Sequence, residues 1–217
     1  MLCEENSAKT MIRKYLLILS ILLNFSLLTL IFQFWDKIYV QLFPTPQADI
    51  LLIGDSLLAQ ENWSILLTRN DLKNEAFGGA ITQQILWNIQ RGQLSGNPKI
   101  VIIEGGINDL LSGIPVRRIF ENYQNIMNIL RKNNIKIIAH LILYTADNQE
   151  INKEILVLNY LLKEYFESQK IAYIDMNLYL STDGKLQSSY SIDGIHLRKD
   201  AYEIWANTLK SKLPRVL

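Results

Sequence analysis

A three-layer α/β/α sandwich on a five-stranded parallel sheet, preceded by one transmembrane helix, is the fold this sequence predicts. Three observations predict it. Five short runs are rich in apolar residues, helical periods fill the intervals between them, and an uncharged stretch of 21 residues stands near the start of the chain. Strands without polar alternation are buried on both faces, as in a parallel sheet covered by helices.

The bulk properties narrow the reading further. A chain of 217 residues has room for one domain and an appendage. A net charge of +1 supplies no basic field for nucleic acid and no acidic excess. Cys3 is the one cysteine, so an internal disulfide and a thiolate metal site are both excluded. The two histidines, His140 and His196, are too differently placed to build a zinc site, and neither a metal nor a cofactor is expected. Histidine chemistry must use one of these two.

In chain order, residues 1–14 carry Lys9, Arg13 and Lys14 and read as a short cytoplasmic N-terminus. Residues 15–35 hold no charge and reach roughly 30 Å as a helix, the thickness of a bilayer core. Only Lys37 follows the span closely, so the N-terminus should stay inside and the bulk of the protein should face outward. A cleaved signal is the alternative, but its apolar core is shorter, and Phe32, Phe34 and Trp35 stand where small residues would be needed. A buried core helix is the third reading. Residues 36–48 form a connector stiffened by Pro44 and Pro46.

Residues 49–217 form the folded domain. Strands are expected at 50–53, 74–77, 100–103, 135–142 and 171–174. Ile119, Tyr123, Ile126 and Leu130 repeat at the spacing of one helix face, as do Ile151, Ile155, Leu158, Leu162 and Tyr165. The last helix, 199–213, carries Tyr202, Trp205 and Leu209 in the same way. Trp87 and Trp205 read as core residues on helix faces, and His140, within an apolar strand, as a satisfied core residue. Ligands of such sheets bind beyond the carboxyl ends of the strands, so chemistry is sought there.

The first strand runs into Gly54–Asp55–Ser56, and the serine falls where a helix begins. Either Asp55 or Ser56 could also be a helix cap. Gly78 and Gly79 follow the second strand, where a glycine lets a backbone N–H approach a ligand. The third strand ends in Gly105–Gly106–Ile107–Asn108–Asp109, where the Asn108 amide could donate into the crevice and Asp109 reads as a turn cap. Asp193–Gly194–Ile195–His196 opens the last helix, and a carboxylate three residues from a histidine can accept its ring N–H. A serine hydroxyl is a weak nucleophile until a base takes its proton, and the oxyanion it generates needs donors already in place. This chain offers a serine, a glycine amide, an asparagine amide and an oriented histidine, all at strand ends or before the final helix.

These four segments, GDS at 54–56, the glycine at 79, GGIND at 105–109 and DGIH at 193–196, resemble the four blocks of the SGNH hydrolases, also called GDSL-type esterases. The stretch 82–109 is similar to the platelet-activating-factor acetylhydrolase branch. The resemblance covers about residues 49–213 and leaves out the anchor. It implies a flavodoxin-like sheet, Ser56 as nucleophile, His196 as base and then acid, and Asp193 as its orienting carboxylate. The oxyanion hole it implies is made by the amides of Ser56 and Gly79 and the side chain of Asn108. Gly79 is preferred to Gly78 because it lies five residues after Asn74. Ala80 stands where the family often has an acidic residue. The lipase elbow Gly-x-Ser-x-Gly is absent from the sequence. The expected activity is hydrolysis of an O-acyl ester of a small molecule, glycan or lipid outside the cytoplasm. A thioesterase or lysophospholipase, or a catalytically idle binding module on the same fold, is the alternative. The substrate side is expected at loops 144–149 and 177–192.

Overall fold

The structure is a computed structural model that describes residues 2–42, 48–94 and 96–213, in two compact units, Met1–Thr45 and Pro46–Leu217. The first unit is the helix α1 (Leu2–Leu42). Its segment Arg13–Trp35 is long and apolar enough to cross a membrane, as an anchor or as a signal sequence. Polar side chains there bond back to the helix. Asn24 Nδ2 donates to Ser20 O at 2.8 Å and Thr29 Oγ1 to Ser26 O at 2.7 Å, which satisfies them without water. The helix overruns the expected span at both ends, because residues 2–42 contain neither proline nor glycine to stop it. The expected connector is therefore helical as far as Leu42, and its residues 43–47 lie outside the described residues.

The second unit runs β1 (Ile50–Ile53), α2 (Ser56–Ala59), α3 (Trp63–Leu67), β2 (Leu72–Asn74) and α4 (Thr82–Asn88), the last continuing into a π-helical turn at Ile89–Gln93. Then come β3 (Ile100–Ile103), α5 (Ile107–Leu111), α6 (Val116–Lys132), β4 (Lys136–His140), α7 (Gln149–Ser168) and β5 (Ala172–Ile174). The chain finishes with α8 (Asn177–Leu180), the hairpin β6 (Ser181–Thr182) and β7 (Lys185–Leu186), and α9 (Lys199–Lys212). Five strands pair in parallel in the order β2-β1-β3-β4-β5, the α/β architecture expected.

Period-two alternation divides the core into two. Leu51, Ile53, Val101, Ile103, Ile137 and Ala139 point to one face, where α4, α6 and α7 cover them. Ile50, Leu52, Ile100, Ile102, Ile138 and Ile174 point to the other, against α2, α3 and α9.

Two expected elements shift. The second strand is 72–74 rather than 74–77, since Asn74 Oδ1 accepts the Ala76 N–H at 3.1 Å and turns the chain out of the ladder. Trp87 is 54% exposed rather than core. The inner face of α4 is Thr82, Ile85 and Leu86, and Trp87 lies about 100° around the helix from Leu86.

The strand order reverses direction between β1 and β3. At that switch point the connections leave to opposite faces and open a crevice beyond the strand ends. Residues 54–56 and 104–108 border it.

Candidate active site

Ser56 is placed by a turn that few sequences could make. A Cβ on Gly54 would stand 2.7 Å from the Glu104 carbonyl oxygen, so only glycine lets β1 and β3 run this close at their ends. Asp55, extended at φ −102°, caps α2 by accepting the Leu57 N–H at 2.9 Å. The capping role thus falls to Asp55, and the Ser56 hydroxyl is left for other partners. A helix of four residues cannot hold itself, and its carbonyls are fastened from outside. Tyr202 Oη donates to Leu57 O at 2.8 Å, while Trp63 Nε1 and Asn74 Nδ2 donate to Leu58 O at 2.7 and 2.8 Å.

Ser56 Oγ lies 2.9 Å from His196 Nε2. The other ring nitrogen, Nδ1, is 2.7 Å from Asp193 Oδ2. A carboxylate accepts, so Nδ1 carries the proton and Nε2 presents its lone pair to the serine hydroxyl. Asp193 Oδ1 accepts the N–H groups of Ile195 and His196 at 3.0 and 2.8 Å. The hydrogen bond from the His196 ring, with these amides, holds the Asp193 carboxyl down at about 2. It is ionised throughout the working range of a neutral-pH enzyme.

The turn carrying this pair is separate from the last helix. Ser191, a residue the sequence reading passed over, closes it. Its Oγ accepts the Gly194 N–H at 2.7 Å and donates to His196 O at 3.1 Å, and Ile192 N donates to His196 O at 2.8 Å. Ser191 is 4% exposed and pairs with Leu197 in an isolated bridge, so α9 begins only at Lys199. An isolated serine three residues from a glycine gives no sequence signal of such a bond.

The second and third blocks meet through a hydrogen bond from Asn108. Gly79 has φ +74° and is exposed, a conformation that favours glycine and leaves its backbone open. Asn108 Nδ2 donates to Ala80 O at 3.1 Å. An amide nitrogen has two hydrogens, so one N–H of Asn108 fixes the Gly79–Ala80 backbone and one remains. Asp109 is no turn cap. It is 1% exposed and accepts Thr82 N at 2.8 Å and Thr82 Oγ1 at 2.5 Å, tying the start of α4 to α5. Asn122 Nδ2 closes this network on Thr82 Oγ1 at 2.9 Å.

The structure thus brings Ser56, His196 and Asp193 into one hydrogen-bonded chain and links Asn108 to the residue after Gly79. Glu104, which the sequence reading also missed, lies buried under the site at 3% exposure. Its one signal was an acidic residue directly after the run IVII.

Comparison with known proteins gives the site its context. A profile of the GDSL-like lipase/acylhydrolase family matches residues 52–204. The N-acylneuraminate cytidylyltransferase of Streptococcus agalactiae serotype III (strain NEM316) is 29% identical over 172 residues, 79% of this chain and 40% of its own length. The chain therefore spans well under half of the curated relatives it matches. Among solved structures, a protein from Streptococcus pneumonia assigned as a platelet activating factor has a TM-score of 0.72 at 21% identity, with 87% of this chain and 99% of that one covered. A GDSL-like lipase from Bacteroides thetaiotaomicron VPI-5482 has a TM-score of 0.71 at 19% identity, covering 82% and 96%. These two likenesses speak to the fold; the match to the family profile, which spans the strand-end segments, places the chain in the GDSL-like lipase/acylhydrolase family.

Proposed function

We propose that this chain removes short O-acyl groups from a glycan through an acyl-enzyme on Ser56, outside a membrane in which residues 15–35 anchor it. The observation that carries the reading is the unbroken chain from Ser56 Oγ to His196 Nε2 and from His196 Nδ1 to Asp193 Oδ2, at 2.9 and 2.7 Å. In that arrangement His196 takes the Ser56 proton as Oγ attacks the ester carbonyl. Asp193 holds the tautomer and stabilises the imidazolium. The oxyanion is received by the amides of Ser56 and Gly79 and by the remaining N–H of Asn108. His196 then protonates the departing alcohol, and the same steps run with water to free the acid and restore Ser56.

A sugar ester is preferred to a lipid ester on one ground. The curated relative similar over 172 residues is named for N-acylneuraminate, an acylated sugar acid. In this reading the alcohol half would lie toward the two loops expected on the substrate side. Tyr144 and Gln149 face Asp183, Gly184 and Lys185 across a cavity of about 270 Å³, with Asn152, Lys153 and Leu156 from α7 completing its wall. This loop is joined to the His196 turn by Ala146 N donating to Gly194 O at 2.9 Å.

The test uses the full chain in detergent. A fluorophosphonate should label Ser56 and fail on Ser56→Ala, and nitrophenyl esters should be turned over best at short acyl length. Failure to label Ser56 in the folded protein would identify an idle binding module. A preference for long acyl chains or thioesters would favour the lysophospholipase or thioesterase reading.

A further inference from the structure

Asp55 and Glu104 are the residues that follow Gly54 and β3, on neighbouring strands. Their chains run side by side here, with Glu104 N donating to the carbonyl of Ile53, two residues before Asp55, at 3.1 Å. Both side chains are buried, at 0% and 3% exposure. Among the described residues, four buried side-chain oxygens have no hydrogen-bond donor, and three of them are Asp55 Oδ2 and the two Glu104 carboxyl oxygens. Two ionised carboxylates in such a place would repel each other without water to screen them. One proton changes an acceptor into a donor and resolves the conflict.

The surroundings decide which carboxyl holds it. Burial raises the Asp55 carboxyl too, but Asp55 already accepts the Leu57 N–H, which lowers it against that effect. Glu104 is raised well above the usual carboxyl range by burial and then by the charge of Asp55. The groups facing the pair from other elements leave this unchanged. Tyr123 of α6 donates to Gly105 O and Tyr202 of α9 to Leu57 O, and burial raises both phenols. Asp109 of α5 is engaged by Thr82, and His140 of β4 is buried with its pKa lowered to about 4.

We propose that Glu104 is a positioning residue for the nucleophile: protonated, it donates to Asp55 Oδ2, and the pair keeps one proton and one negative charge beneath the turn that presents Ser56. The inference rests on Ser56 being the nucleophile. The bond fixes the Asp55 side chain, whose other oxygen fixes the Leu57 amide and hence the Ser56 turn. The single charge favours the imidazolium of His196. Loss of the shared proton puts a second negative charge under the oxyanion site and opposes turnover at alkaline pH.

The experiment compares Glu104→Gln and Glu104→Leu in the full chain, after fluorophosphonate labelling of the wild type has established Ser56 as reactive. No wild-type labelling would defeat the nucleophile reading itself and is thereby told apart from failure of this inference. Glutamine retains a donor toward Asp55, and leucine does not. The leucine variant should lose on the order of 10² in kcat with little change in KM, the scale of a small misplacement of reacting groups. The glutamine variant should recover most of that loss and lack the alkaline decline of the wild type. Infrared spectra at neutral pH, wild type minus Glu104→Gln, should show the carbonyl band of a protonated carboxylic acid, a readout that stands even if the leucine variant does not fold. Equal kcat losses in both variants, wild-type kcat in a folded leucine variant, an alkaline decline kept by the glutamine variant, or no acid band would each overturn the proposal.

Discussion

His140 and His196 are the two histidines of the chain, and they stand in opposite surroundings. His140 ends β4 and is 1% exposed. Its Nε2 accepts from Trp205 Nε1 at 2.8 Å and its Nδ1 faces Ile103 O at 3.2 Å. An indole only donates and a carbonyl only accepts, so both ring nitrogens are committed and the ring is neutral. Burial lowers its pKa from 6.5 to about 4. His196 stands on a polar turn with its side chain 29% exposed, a carboxylate on one nitrogen and a serine hydroxyl on the other. The same side chain is a buried structural group in one region and a partly exposed link between a carboxylate and a serine hydroxyl in the other. The difference lies in partners and water, since each histidine is hydrogen-bonded on both nitrogens.

The sharpest way to break this contrast is to remove each ring. His196→Ala should cost on the order of 10⁶ in kcat, as when the base of a serine triad is deleted, whereas folded His140→Leu should keep kcat within a few-fold. Steady-state kinetics on both variants decides it, and equal loss would end the assignment of His196 as base. Asp193→Asn tests the partner that distinguishes His196. It leaves the shape but favours the wrong tautomer, and kcat should fall on the order of 10⁴. A folded Asp193→Asn enzyme at wild-type rate would show that the carboxylate does not orient the ring.

Asn108→Ala should lower kcat on the order of 10²–10³ with KM nearly unchanged, because the donor acts mostly in the transition state. Asn108→Asp should do no better, as a carboxylate repels the oxyanion. Near-normal kcat in the aspartate variant would reduce Asn108 to shaping the turn through its bond to Ala80. The smallest effect concerns stability alone. A folded pKa of about 4 against 6.5 for the free ring means that the unfolded chain binds the extra proton first as pH falls. The wild type should be fully stabilised by this group above pH 6.5 and lose about 3 kcal/mol between there and pH 4. Denaturant melts across that window should show a flatter pH slope for His140→Leu.

Much of this was legible in the chain, and the reasons differ by element. Runs such as ILLI and IVII, short, apolar at every position and ended by glycine or a polar residue, read as strands buried on two faces, and with the helical periods between them they pointed to the parallel sheet. The strand-end segments were legible because a parallel sheet gathers its ligand-binding residues at one edge. Residues whose role depends on a distant partner were not. Asp109 looked like a turn former because nothing in its neighbourhood announces Thr82, 27 positions away. Glu104, which sits beside Asp55 from another strand, was hidden for the same reason, while Ser191 was hidden because a serine near a glycine carries no pattern that announces a turn-closing bond. Trp87 departs from the core expected for it because Thr82, Ile85 and Leu86 occupy the inward face of α4, a choice that an aromatic residue's own hydrophobicity does not reveal.

The fastening of α2 from outside has a consequence in time. Ser56 and His196 are 140 positions apart, and Tyr202, which holds Leu57 O, is 145 positions from it. At roughly 5–20 residues per second of synthesis, the ribosome makes the serine many seconds before the parts that steady it and hydrogen-bond to it. Until the last helix docks, the nascent chain carries an ordinary serine with no basic partner and a four-residue helix too short to persist. On the proposed mechanism, reactivity toward esters arrives only with the completed fold, and a chain cut short before α9 is made should never acquire it.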